Sequence, residues 1–91
     1  MHFNITKAEY LNDYRIRLSF RDGSSGVADL SSYPDPDNVF KVFLDQDYFR
    51  EFRIDFGTLV WGDGEVDLAP ETLYALATGK EVSYRALQAR T

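Results

Sequence analysis

The chain has 91 residues, no cysteine, and fifteen acidic against ten basic side chains, for a net charge of −5. Without cysteine there is no disulfide framework, no thiolate metal site and no thiol nucleophile. The acidic balance argues against nucleic acid as a partner, because a duplex-binding surface needs a basic face to displace phosphate counterions.

Seven Phe, six Tyr and one Trp make 15% of the chain aromatic. Each such ring buries about 150–250 Å², so they supply a core without covalent staples, and a chain of this length holds one domain, residues 1–91. The start, Met1-His2-Phe3-Asn4-Ile5-Thr6-Lys7, lacks a charged-then-apolar signal pattern. No apolar run approaches the ~18 residues of a membrane span. A soluble cytoplasmic protein with no membrane partner is the expectation.

Phe3, Ile5 and the run to Tyr10-Leu11 suggest a first strand, with Asn12-Asp13 as turn residues. Tyr14, Ile16, Leu18 and Phe20 then alternate with Arg15, Arg17, Ser19 and Arg21. That period of two predicts a half-buried strand, arginines outward. Asp22-Gly23-Ser24 is a hairpin signal, since glycine tolerates positive φ. Ser25 to Leu30 should return as a third strand with Val27 and Leu30 facing in. Pro34-Asp35-Pro36-Asp37 marks a loop, because proline lacks a backbone donor and restricts the residue before it.

Asp37 or Asn38 can cap a short helix in which Val39, Val42 and Phe43, at i, i+3 and i+4, rest on the sheet. Asp45-Gln46-Asp47 breaks that pattern, and Tyr48-Phe49 reads as a turn. Phe52, Ile54 and Phe56 alternate with Arg53 and Asp55, predicting a fourth strand, and Thr58 to Trp61 a fifth. Pro70 fits a first helical position, Glu71 the positive helix end, and Gly79 the C-terminal stop. Ala69, Leu73, Leu76 and Ala77 would form that helix's buried stripe. Ser83 either caps a last helical turn through Tyr84, Leu87 and Gln88, or residues 80–91 are a frayed tail. Together these signals predict an α+β fold: a small single domain with an antiparallel sheet of about five strands packed against two or three short helices.

Catalytic chemistry has few candidates. The one histidine, His2, lies beside the terminus, and no nucleophile elbow, Walker loop, Rossmann fingerprint or metal-binding histidine pair occurs. The best carboxylate group is Asp63, Glu65 and Asp67, with Glu71 one helical step on. Carboxylates so spaced suit a hard cation, yet Gly64 is misplaced for an EF-hand and no twelfth-position glutamate follows. Their ordinary uses are a turn at Asp63, a cap at Asp67 near the helix start and a dipole partner at Glu71. Trp61 invites a stacking role, though core or rim packing is the common use of such a ring. Arg15, Arg17, Arg21 and Arg53 could touch nucleic acid or an acidic partner, though a charged outer strand face is the commoner use.

Three segments carry a family resemblance: Tyr14 to Gly23, ending Phe20-Arg21-Asp22-Gly23; Val27-Ala28-Asp29-Leu30; and Leu59-Val60-Trp61 through Asp67-Leu68-Ala69-Pro70-Glu71-Thr72-Leu73-Tyr74. They resemble the bacterial domain of unknown function 2442 family over about residues 3–75. The acidic helix start, Pro70-Glu71-Thr72-Leu73-Tyr74, is the most specific part. The Pro-Asp-Pro-Asp loop and the tail after Gly79 depart from the pattern. The resemblance implies an antiparallel sheet with helices packed on it, no established catalytic residues and no cofactor. It also implies either a stand-alone small protein or a domain joined to a helix-turn-helix unit, for which this chain has no room. Stand-alone members of the family it resembles are often encoded beside another small domain of unknown function, the 4160 family, which implies a toxin–antitoxin-like pair.

The expectation is a non-enzymatic interaction module that binds a small neighbour-encoded protein. Binding would use a sheet edge, or the acidic turn and its helix, with Trp61, Asp63, Glu65, Glu71 and Tyr74 facing the partner. A homodimer through a sheet edge is compatible with the same features. The alternative is a metal- or ligand-binding protein or enzyme using Asp63, Glu65 and Asp67 beside Trp61.

Overall fold

The computed structural model describes residues 3–79. Strands β1 (Ile5–Asn12), β2 (Arg15–Phe20) and β3 (Ser25–Asp29) form one antiparallel meander, and β4 (Arg53–Asp55), β5 (Thr58–Trp61) and β6 (Val66–Asp67) form a second. The expected α+β class holds, but the expected single sheet of about five strands is instead two sheets of three. The long connection after β3 carries its own helices and turns the chain, so β4 starts a new ladder. The sheets still touch at a corner, where the Ile5 N–H donates to the Gly57 carbonyl of the β4–β5 turn at 2.8 Å.

In the first sheet the alternation of β2 reads through as predicted: Ile16, Leu18 and Phe20 are buried. Ala28 lies opposite Ile16, so the inward line of β3 is Gly26 and Ala28, continued by buried Leu30. Val27 was expected inside but is 37% exposed on the outer face, opposite Arg17. In β1 a register shift between Ile5 and Lys7 lets Ile5 face in while Ala8 and Tyr10 pack on the core from the next turns of the pleat. The outer face is polar and paired: Arg17 meets Glu9 at 3.6 Å and Arg15 meets Asp29 at 3.9 Å. Exposed pairs of this kind add about 0–1 kcal/mol each, so they mainly keep that face hydrated.

The connection begins with Asp35, whose carboxylate accepts from the Asp37 N–H. Asn38, rather than Asp37, is the cap: its side chain accepts from the Phe40 N–H at 2.8 Å and starts a 3-10 helix, Val39–Leu44. Three residues per turn align Phe40 with Phe43, so Phe43 is fully buried while Val39, expected on the core, is 55% exposed. Asp45 then ends one helix and caps the next, α1 (Gln46–Phe49), accepting from the Asp47 and Tyr48 N–H groups. The expected break at 45–47 is therefore a restart, and Phe49, expected in a turn, is a buried helical residue.

Phe56 (φ 50) and Gly57 (φ 77) make a two-residue loop closed by the Asp55–Thr58 pair. Positive φ at both positions is the type I′ hairpin, whose twist matches the flanking strands. Phe56 was expected to face inward on a strand; it sits on the turn and is 96% exposed.

Helix α2 (Pro70–Thr78) has the expected ends, with Pro70 and Glu71 in the first turn and left-handed Gly79 donating to Ala75. Its buried line is Leu73 and Tyr74 with Ala77 packed alongside, whereas Ala69 and Leu76 face outward. The docking on β3 decides this. A Cβ built on Gly26 would run into the backbone oxygen of Ala77 and lie 2.8 Å from its carbonyl carbon. A strand glycine here lets a helix backbone rest directly on the sheet. The expected Ser83-capped turn or frayed tail lies outside the described residues, as does His2. Among the described residues no helix is long and apolar enough to cross a membrane.

Candidate functional site: the acidic turn and the helix it feeds

Strand β5 is buried along its whole length and delivers Trp61 into the core. The indole is fully buried between Phe43 (centroids 4.7 Å apart) and Phe49 (5.8 Å), and its N–H donates to the Phe49 carbonyl at 2.8 Å. A ring that is enclosed and has its one polar group satisfied is an anchor for α1, and it presents nothing to a partner.

After Trp61 the chain reverses through residues 62–65 and re-pairs at Val66. Gly62 (φ 64) and Gly64 (φ 90) take left-handed conformations that side chains resist. The Tyr48 hydroxyl donates to Glu65 Oε1 at 3.2 Å and would sit 2.8 Å from a Cβ at Gly62, so α1 is tied to this turn. Burial, then the Glu65 hydrogen bond and charge, hold the Tyr48 phenol above its usual range, keeping it a donor. Arg53 caps the turn from β4 by donating to the Gly62 carbonyl, and the Thr58 hydroxyl donates to Leu68.

Asp63, Glu65 and Asp67 are all exposed, and no group of three His, Cys, Asp or Glu among the described residues is placed to hold a metal ion. Asp67 does not cap α2. It pairs on β6 opposite Val60, and the cap position belongs to Ala69, which makes no side-chain bond there. Glu71 keeps its predicted place in the first turn, where a carboxylate complements the helix dipole.

Tyr74 closes the structure from the other end. Its ring packs edge-on against Phe3 (5.0 Å) and Phe20 (4.9 Å), and its hydroxyl donates to Asp22 Oδ2 at 2.8 Å. The other Asp22 oxygen accepts from the Ser24 N–H at 2.8 Å, which fixes the carboxylate across the β2–β3 hairpin. The Phe20-x-Asp22-Gly23 segment and the Pro70-to-Tyr74 segment, 52 residues apart at their joining bond, are thus one contact. No spacing rule in the sequence points to it. Tyr74→Phe keeps the ring and removes the hydroxyl; a loss of about 1–2 kcal/mol in urea unfolding is expected, between a neutral and a charged hydrogen bond because this one is only part-buried.

Three of the four arginines are engaged by neighbours within the fold. Arg15 and Arg17 pair across strands, and Arg53 is committed to the turn.

The family model described as protein of unknown function, DUF2442, matches residues 5–79. The chain belongs to this family. No curated protein and no solved structure matches it. The matched span opens on the first residue of β1 and closes on the glycine that ends α2, so the family unit comprises both sheets and all of α2. It reaches past the residue-75 limit of the resemblance by the last turn of that helix.

Proposed function

We propose that this chain is a non-enzymatic interaction module working in the cytoplasm beside a small, neighbour-encoded protein, as one half of a toxin–antitoxin-like pair. The observation that carries the reading is the open side of the first sheet. Among the described residues β3 pairs with β2 alone, and Val27 stands 37% exposed on it. Strand addition to such an edge uses backbone hydrogen bonds for affinity and alternate side chains for selection. The exposed carboxylates Asp63 and Glu65, on a turn braced by Tyr48 and Arg53, add a negative surface for a basic partner.

Co-expression of the full chain with the product of its neighbouring gene tests this. Both should leave a size-exclusion column together in a fixed ratio, and the complex should weaken as salt rises. Two proteins that elute separately at micromolar concentration contradict the reading.

A further inference from the structure

We propose that Phe56, at the tip of the β4–β5 hairpin, is the anchor by which this chain enters an apolar socket rimmed with lysine or arginine on a partner protein. The inference rests on the interaction-module reading and goes beyond it by naming the anchor and the chemistry of the receiving site.

Three observations meet at this residue. The first is exposure: Phe56 is 96% exposed, whereas the other exposed large apolar side chains among the described residues, Val27, Val39, Leu44, Ile54 and Leu76, lie between 37% and 56%. The ring contributes no burial to the fold that holds it. The second is backbone conformation. Phe56 has φ 50 at the first position of a type I′ loop, a place that suits Asn, Asp or Gly, and a bulky side chain there is a true outlier. Such conformations persist only where the surroundings impose them, and they cluster at binding sites.

The third is support from behind. The Gly57 carbonyl accepts from the Ile5 N–H at 2.8 Å, and a Cβ on Gly57 would lie 2.7 Å from Asn4 Cγ. The tip is braced against β1, so the ring is presented on a fixed turn. Binding through it costs little ordering, and buried aromatic anchors of this kind dominate interface energetics.

Charge selects the occupant. The chain carries −5, and Asp55 directly precedes the ring. Anionic lipid headgroups and nucleic acid are repelled by that field, whereas a socket with a basic rim is attracted to it. Ile54, 40% exposed on the strand leading to the tip, extends the apolar contact.

The test places p-benzoylphenylalanine at position 56 of the full chain in its native cells, irradiates, and identifies the adduct by mass spectrometry. The adduct protein is then purified and titrated calorimetrically with wild type, Phe56→Ala, Phe56→Asn and, as control, Val39→Ala. We expect both Phe56 variants to bind at least about 10-fold more weakly, as an interface hot spot would, with Val39→Ala within about 2-fold. Phe56→Asn should also melt at a higher temperature than wild type, because asparagine accepts positive φ, so its lost binding cannot be unfolding. Equal affinity for wild type and both Phe56 variants overturns the proposal. So does an adduct formed only with a second copy of this chain, or binding only to phosphatidylglycerol vesicles. A neighbour-encoded complex that forms equally well with Phe56→Ala removes the anchor and leaves the module reading intact. An adduct from an unrelated basic protein, with no neighbour complex, sustains the anchor and removes the pairing.

Discussion

Trp61→Ala should destabilise the domain by about 3–5 kcal/mol, the range found when a large buried aromatic is truncated. That is a large share of the roughly 5–15 kcal/mol that holds a small domain together, so the variant should be substantially unfolded at 37 °C. Two losses combine. The cavity opens between Phe43, Phe49 and Phe52, all packed on the indole, and the buried Phe49 carbonyl loses its donor. Trp61→Phe removes the N–H and the second ring but keeps one ring in the core, so it leaves a smaller cavity; about 1–3 kcal/mol is expected. Urea unfolding followed by far-UV circular dichroism measures both, as the sole tryptophan is gone. A Trp61→Ala cost below about 1 kcal/mol would mean that the indole is not the anchor of this half of the core.

Gly26→Ala should cost about 1–3 kcal/mol although it adds one methyl group to a strand with ordinary φ. The added carbon meets the backbone of Ala77, which cannot rotate aside, so α2 must lift from the sheet and carry Leu73 and Tyr74 with it. A reduced unfolded-state entropy returns about 0.4–1 kcal/mol, which is why the overlap must exceed that to be seen. Gly64→Ala is the useful contrast: φ is 90 there and nothing lies within 4 Å, so only backbone strain is added. Gly26→Ala should therefore change the environment of Tyr74 in near-ultraviolet dichroism, and Gly64→Ala should leave it unchanged. Identical stability and spectra for Gly26→Ala and wild type would place α2 elsewhere.

These two positions also show how far the sequence could be read. The alternation of Ile16, Leu18 and Phe20 and the Pro70 and Gly79 ends of α2 are local signals, and they carried through. The phase of β3 was not legible, because its inward line is Gly26 and Ala28: a helix backbone, not a side chain, fills the space above them. Hydrophobic periodicity then points to Val27, which faces water. Phe52, Ile54 and Phe56 imitate a strand period, yet the third of them falls on the turn. The second sheet was hidden by β6, whose two residues are too few to show any period.

The candidate site followed the same logic. Trp61 and Tyr74 were expected to face a partner, since an apolar ring with one polar group serves an interface and a core equally well. Which use applies depends on the Phe49 carbonyl and on Asp22, long-range partners that spacing does not reveal. Asp63, Glu65 and Glu71 did stay accessible or half-accessible, as local polarity suggests.

The acidic, proline-started segment Pro70 to Tyr74 serves closure, with Tyr74 latching α2 to the Asp22 hairpin; under the proposed function, recognition would use other surfaces. A double-mutant cycle of Asp22→Ala and Tyr74→Phe measures this latch directly, because it removes whatever else either side chain does. A coupling of about 1–2 kcal/mol in unfolding free energy is predicted, with no coupling in partner affinity. Additivity within about 0.3 kcal/mol in stability, with coupling in binding instead, would contradict it.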